Sequence, residues 1–294
     1  MVKVLILGAG GMLGSTLFRS LSQNKELDLI GAVRGDNAVV FEKIGSEGSI
    51  VFGVDATQSL ALRGLIESIQ PHVVVNCIGV IKQKGHEVSD REMIEVNTLL
   101  PHMLAQFCGE FDARLIHFST DCVFDGVDGG YTEDNLPNSS DLYGRSKALG
   151  EVMSENCLTL RTSIIGHELN SSLSLIDWFL SQSGEVPGFT RAYFSGLPTI
   201  YWANLLQRLI LCHRDLAGLY HVSSQRISKF ELLRLVSQVY SEGPTLLKDD
   251  SMVIDRSLKC GRFSDAVGWS CPAWPFLIKL MYEDFCEMKR RGII

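Results

Sequence analysis

Eight cysteines are scattered through the chain at 77, 108, 122, 157, 212, 260, 271 and 286, with no Cys-x-x-Cys pair and no Cys/His cluster at ligand spacing. That pattern speaks against structural zinc, and a 294-residue chain needs no disulfide framework to build a core. Basic runs are missing too. The 27 Lys and Arg stand against 34 Asp and Glu, a net charge of −7, which is not the footprint of a nucleic-acid surface. No apolar run approaches the roughly 20 residues that a membrane-spanning helix needs. The N-terminal run Val2–Leu7 is too short and wrongly flanked for a secretory signal, so the cytoplasm is the expected location. There is no internal repeat and no low-complexity linker. What is present, 46% hydrophobic and 21% charged residues, describes an ordinary globular protein.

Short runs rich in Val, Ile and Leu predict strands at Val2–Leu7, Leu29–Val33, Ile50–Val54, Val73–Cys77, Arg114–Ser119 and Leu158–Thr162. Amphipathic stretches at Met12–Ser22, Thr57–Ile69, Asp90–Phe111 and Tyr143–Asn156 predict helices between them. Near-continuous apolar strands alternating with helices imply an α/β fold, a doubly wound parallel sheet covered on both faces. Ligands of such sheets bind at the carboxyl ends of the strands, where Gly8, Asn76, Thr120 and Ser163 lie. Residues 1–165 are expected to form a dinucleotide-binding domain, with 200–225 returning to it, and 166–294 a smaller α/β substrate lobe. Within that lobe Gly184–Pro198 reads as loop, Tyr201–His213, Ser228–Ser241 and Pro275–Arg290 as helices, and Gly218–Ser223 as a strand.

Glycines at 8, 11 and 14 sit directly between the first strand and first helix. Glycine permits the tight turn there and lets a pyrophosphate rest on the helix N-terminus, so Gly8, Gly11, Met12, Leu13 and Gly14 are expected to hold a dinucleotide. The second strand ends in Arg34 rather than in the acidic residue that binds a ribose 2′-hydroxyl; a guanidinium suits a 2′-phosphate instead. NADP(H) is therefore preferred and NAD(H) remains open, with Asp36 nearby blurring the distinction. Asp55, followed by Ala56, either bonds the adenine amine or caps the helix near Thr57. Cys77, Ile78 and Gly79 are expected to line the cofactor after the fourth strand.

Tyr143 and Lys147 are four residues apart on a predicted helix and so share a face, with Thr120 upstream at a strand end. A nearby ammonium favours a phenolate, and a hydroxyl can hold a reacting oxygen. Together they suit hydride transfer beside a nicotinamide. Pro101 lacks the N–H that would bond the carbonyl of Asn97, which leaves that carbonyl free for another donor or simply marks a kink.

These pieces resemble the extended short-chain dehydrogenase/reductases (Rossmann fold) and, among them, the dTDP-4-dehydrorhamnose reductases. The resemblance rests on residues 8–14, on Ser-Thr-Asp-Cys-Val-Phe-Asp-Gly at 119–126 and on Tyr-Thr-Glu-Asp at 131–134. It continues through Tyr-Gly-Arg-Ser-Lys-Ala-Leu-Gly-Glu at 143–151 and Leu-Arg-Thr at 160–162, and covers roughly residues 1–165. It implies an NADPH-dependent reductase of a nucleotide-linked 4-keto-6-deoxy sugar, of the kind used in dTDP-rhamnose and polysaccharide biosynthesis. Thr120, Tyr143 and Lys147 would be its triad, Lys147 would also bond the nicotinamide ribose, and Asn97 would anchor a proton relay. Cys122 stands where the family often has an aromatic residue, and the Asp-Glu of the dehydratases is absent.

A nucleotide-sugar substrate would then meet Thr120, Asp121, Cys122 and Tyr143, with His167, Arg191 and Arg256 as further contacts. His221, in an apolar strand, reads as a core histidine, and Trp178 and Trp202 as packing residues. Two alternatives share the fold: a nucleotide-sugar epimerase, and a non-catalytic NADP-binding regulatory subunit like the beta subunit of methionine adenosyltransferase. A homodimer stays open; no membrane, nucleic acid or metal is expected.

Overall fold

A computed structural model describes residues 1–35, 44, 48–80, 88–169 and 173–294; Asp36 lies outside the described residues. Seven parallel strands form the main sheet. They are β1 (Val2–Leu7), β2 (Leu27–Ala32), β3 (Ser49–Val51), β4 (Val73–Asn76), β5 (Arg114–Thr120), β6 (Cys157–Thr162) and an edge strand, Gly218–His221. From one edge to the other the order is Gly218–His221, β6, β5, β4, β1, β2, β3. Strand order reverses between β1 and β4, so the crevice expected of a doubly wound sheet opens beyond Leu7 and Asn76, which are register partners.

The strands are apolar on both faces because both are covered. One core packs Val4, Ile6, Val75, Ile116, Phe118 and Leu160 beneath the helices Met12–Leu21 and Thr199–Cys212. Trp202 lies fully buried there, its ring edge-on to Phe118 at 4.9 Å, and the Thr16 and Thr199 hydroxyls meet at 3.3 Å between the two helices. The opposite core packs Leu5, Leu7, Val74 and Leu115 against Leu62, Ile66, Leu100 and Leu104. Trp178, by contrast with Trp202, is 40% exposed.

The helical stretch opening at Asp90 is not uniform. Regular helix over Asp90–Ile94 widens to an i+5 register over Glu95–Leu99 and resumes at Leu100–Glu110. Pro101 supplies the reason: it cannot donate to Asn97, and the wider register, with Leu100 N–H bonded to the Glu95 carbonyl, absorbs the break. The helix expected over Tyr143–Asn156 is shorter, Leu142–Leu149. Gly150 terminates it, and a side chain there would collide with the Asn97 carbonyl at 1.9 Å.

Gly184–Pro198 is not loop. It contains the strands Glu185–Phe189, Ala192–Phe194 and Leu197–Pro198. Their glycines and prolines hide any local periodicity, and their pairing is long-range: Glu185–Phe189 runs parallel to Thr245–Asp249, and Ala192–Phe194 lies between Ile227–Ser228 and Ile254–Asp255.

Candidate active site

At the end of β1, Gly8 adopts φ +78°, which an L side chain rarely tolerates, and its N–H and that of Ala9 donate to the Ala32 carbonyl at 3.0 and 3.1 Å. Gly11 begins the helix in extended conformation without a side-chain cap, and the first turn holds no acidic residue. Its amide donors at Met12 and Leu13 are therefore suited to an anion. Gly14 lets the helix approach so closely that a Cβ would stand 2.2 Å from the Gly8 carbonyl oxygen. The loop after β4 closes the other side, since a Cβ on Gly8 would meet Ile78 and the Cys77 backbone at 3.0–3.2 Å. This cradle fits a dinucleotide pyrophosphate.

Arg34 is 79% exposed at the end of β2, 3.8 Å from Glu92, and close enough to Asp55 to help lower its pKa. The larger cause of that lowering is Thr57, whose N–H and hydroxyl both donate to Asp55 Oδ1, at 2.9 and 2.8 Å. Asp55 thus braces the turn before the helix Ser59–Ile69. Ala56 is buried beside it.

Asn97 knits three segments together. Its Oδ1 accepts from Val80 N–H at 2.9 Å, and its Nδ2 donates to the Val80 carbonyl at 3.0 Å and to Ser146 Oγ at 3.2 Å. A Cβ on Gly79 would stand 3.6 Å from Asn97 Oδ1 and 4.0 Å from Lys147 Nζ. The loop after β4, the i+5 turn and the helix Leu142–Leu149 therefore meet at one point.

Thr120 ends β5, and its hydroxyl donates to Asp121 Oδ1 at 3.2 Å while accepting from Cys122 N–H at 3.1 Å. It also hydrogen-bonds the Tyr143 phenol. The helix Leu142–Leu149, capped by Asp141 accepting from Gly144 N–H at 2.8 Å, brings that phenol into place. A Cβ on Gly144 would strike the Cys122 carbonyl and Ser139 Oγ, each at 2.3 Å, so glycine there permits the docking. One turn on, Lys147 is 5% exposed and its Nζ donates to the Phe118 carbonyl at 2.7 Å.

The electrostatics differ from the simple expectation for a tyrosine beside an ammonium. Burial pushes the Tyr143 phenol well above its ordinary value, Cys122 adds to the rise, and the Thr120 hydrogen bond opposes it. Lys147 does not offset this, because it is aimed at Phe118. The phenol is consequently protonated at neutral pH, which suits a proton donor. Burial lowers Lys147 to about 8, with the nearby Glu151 carboxylate opposing the fall. Cys122 is raised to about 12, mainly by burial, so it stays a thiol. Asp121 is raised by burial against hydrogen bonds from Ser163, Cys122 and Thr120 and the charge of Arg256.

The three more distant candidates separate. Arg256 joins the site: its Nε donates to the Phe124 carbonyl at 2.8 Å and its Nη1 lies 3.6 Å from Cys122 Sγ. His167 corrects the expectation of a substrate contact. It is 4% exposed, its Nδ1 pairs with Asp177, its Nε2 with the Tyr240 hydroxyl at 2.8 Å, and its ring stacks on Phe285. Both nitrogens are taken, so the ring is an interior cross-link. Arg191 is exposed at the approach to Ala192–Phe194, and its carbonyl accepts from Ile254 N–H at 3.2 Å.

Sequence reasoning passed over a buried group behind Thr120, Tyr143 and Lys147. Glu151 accepts from Ser119 Oγ at 2.7 Å and from Arg161 through Nε and Nη2 at 2.7 and 2.6 Å. Arg161 Nη1 reaches His221 Nε2 at 3.2 Å, and His221 Nδ1 faces the Tyr131 carbonyl at 3.1 Å. The available signal was an arginine inside an apolar strand, which demands a buried partner.

Residues 2–249 match the RmlD substrate binding domain family. Among curated proteins, the methionine adenosyltransferase 2 subunit beta of Danio rerio is 33% identical over 51% of this chain and 42% of its own, so the match spans less than half of that relative. The probable low-salt glycan biosynthesis reductase Agl14 of Haloferax volcanii is 27% identical over 85% of each chain. The dTDP-4-dehydrorhamnose reductase of Bacillus anthracis str. Ames, solved in complex with NADP, superimposes with a TM-score of 0.79 over 97% of this chain and 99% of that one. At 21% identity it is evidence of a shared fold.

Proposed function

The chain belongs to the RmlD substrate binding domain family, and from that membership we propose that it is an NADPH-dependent reductase of a nucleotide-linked 4-keto-6-deoxy sugar. The observation that carries the reading is the convergence of a protonated Tyr143, bonded to Thr120, with the buried Lys147 at the strand ends beside an uncapped, glycine-built helix N-terminus. Bound NADPH supplies the hydride for the keto carbon. The amides of Met12 and Leu13 would hold the pyrophosphate, and Arg34 would meet the 2′-phosphate. Cys77, Ile78 and Gly79 wall the nicotinamide end, where Lys147 fixes the ribose. Thr120 orients the keto oxygen and Tyr143 donates its proton to that oxygen as the alcohol forms. Residues 1–165 with 200–225 carry the cofactor, and the rest, including Arg256 near Cys122, meets the sugar nucleotide. Cys122, smaller than an aromatic ring, leaves more room beside the reacting carbon.

The test follows NADPH absorbance with a panel of dTDP- and UDP-linked 4-keto-6-deoxy sugars. Wild type is expected to oxidise NADPH with at least one of them. Tyr143→Phe should lose about 10²–10⁴ in kcat while keeping cofactor affinity, the usual range for a general acid. Tight NADPH binding with no oxidation of any panel member would overturn the reductase reading.

A second reading has one observation behind it, the 33% identity to a protein named as a subunit of another enzyme. On that reading the same cradle binds the cofactor without turnover, and the protein co-purifies with a larger enzyme.

A further inference from the structure

We propose that Glu151 is the positioning residue of this site: its buried carboxylate holds Lys147 charged and in place by bracing the strand end on which Lys147 rests. The inference rests on the reductase reading for the role of Lys147, but not for the interaction itself. Phe118 and Ser119 are consecutive in β5. The carbonyl of the first takes the Lys147 ammonium at 2.7 Å, and the hydroxyl of the second donates to Glu151 Oε1 at 2.7 Å. Thr120, bonded to Tyr143, is the next residue. Glu151 itself follows the helix that carries Tyr143 and Lys147, one turn beyond Lys147, with its N–H reaching the Ala148 carbonyl. A single carboxylate thus ties the helix end to the strand end, and through Arg161 to β6, at the level of all three reacting side chains.

Its charge matters as well as its bonds. Lys147 is enclosed by Cys77 from the loop after β4 and by His117 and the Phe118 carbonyl from β5. Arg161 approaches from β6 through its pair with Glu151, whose side chains are 4% and 6% exposed. Cys77 is a thiol, raised by its burial, and His117 is held neutral by its own. Glu151 is accordingly the anion in this ring. Burial drives Lys147 toward the neutral amine, and Glu151 is the larger force opposing that. Removing its charge also leaves Arg161 uncompensated, which pushes Lys147 the same way.

The experiment measures Lys147 directly. ¹⁵N-labelled lysine side chains are titrated by NMR in the whole protein, with the Lys147 resonance assigned by its loss in Lys147→Met. In Glu151→Gln the Lys147 midpoint is expected to fall by about one pH unit, the lower range for loss of a neighbouring opposite charge. Glu151→Asp, which keeps the charge, should restore it. Arg161→Gln should move it upward, and this opposite shift serves the test if Glu151→Gln does not fold. The alkaline limb of NADPH oxidation should follow the midpoints in the same order. Unchanged midpoints in Glu151→Gln, or a fall in Arg161→Gln, would overturn the proposal. Should the midpoints move as expected while wild type oxidises no NADPH, the interaction stands and the reductase reading fails.

Discussion

One methyl group, added at Gly14, separates a cofactor cradle from a merely glycine-rich turn. An alanine Cβ at 14 would lie 2.2 Å from the Gly8 oxygen, 2.8 Å from the Gly8 carbonyl carbon and 3.0 Å from Ala9 Cα. All three are backbone atoms, and no rotamer relieves them. Comfortable contact needs roughly 3.5 Å, so the helix Met12–Leu21 must withdraw by roughly 1 Å from the turn it abuts. Overpacking of this kind costs about 1–3 kcal/mol, a drop of several degrees in Tm. The larger effect falls on the ligand, because the helix carries the amides that would meet the pyrophosphate; losing one hydrogen bond to a charged group costs about ten- to a hundredfold in affinity. The assay is NADPH fluorescence titration beside thermal unfolding, with Gly64→Ala as control. Gly64 lies inside the helix Ser59–Ile69 with no atom within 4 Å of its added Cβ. That substitution should stabilise by about 0.5–1 kcal/mol and leave NADPH affinity alone. If Gly14→Ala binds NADPH as tightly as wild type, the pyrophosphate does not sit at this helix.

Two further outcomes can be measured on the same preparations. Arg34 is 79% exposed, so Arg34→Ala should leave Tm unchanged while lowering the NADPH-to-NADH ratio of kcat/KM by about ten- to a hundredfold, the worth of one charged hydrogen bond; an unchanged ratio would mean that another group reads the 2′-phosphate. Lys147, lowered from 10.5 to about 8, binds fewer protons folded than unfolded between those values, so its contribution to stability rises with pH through that window and is least favourable below about 8. Lys147→Met should therefore raise Tm at pH 7 and flatten its rise above pH 8, while abolishing turnover; a lower Tm at pH 7 would show that the bond to the Phe118 carbonyl outweighs the burial of charge.

The sheet was legible because its strands are buried on both faces, and such strands appear in a sequence as near-continuous apolar runs. β1 and β4 are the clearest cases. The glycines at 8, 11 and 14 were legible for a related reason: each answers a local demand, whether a positive φ, an uncapped helix start or a close approach. Strands such as Glu185–Phe189 were not, because pairing with Thr245–Asp249 fixes their conformation and nothing within the segment announces it. Pro101 fell between the two. Its missing N–H pointed to a disturbance at Asn97, but whether the helix would kink or widen depended on Gly150 packing against that same carbonyl from another helix.

The site shows the same division between local and distant causes. The spacing of Tyr143 and Lys147 follows from helix geometry, whereas the partner of each depends on β5: Thr120 for the phenol, Phe118 for the ammonium. His167 and Arg161 make the contrast sharper. A histidine in a loop after a strand has the surroundings of a ligand contact, yet Asp177, Tyr240 and Phe285, from three other elements, enclose it. An arginine inside Leu-Arg-Thr, at the end of a wholly buried strand, could not have been left alone, since an unpaired interior charge costs far more than a domain's margin of stability. That requirement could have been posed from the sequence, and Glu151 answers it from ten residues upstream. The carboxylate that neutralises Arg161 also lies one turn beyond Lys147, so the interior charge balance of β6 and the protonation of Lys147 are one problem with one solution.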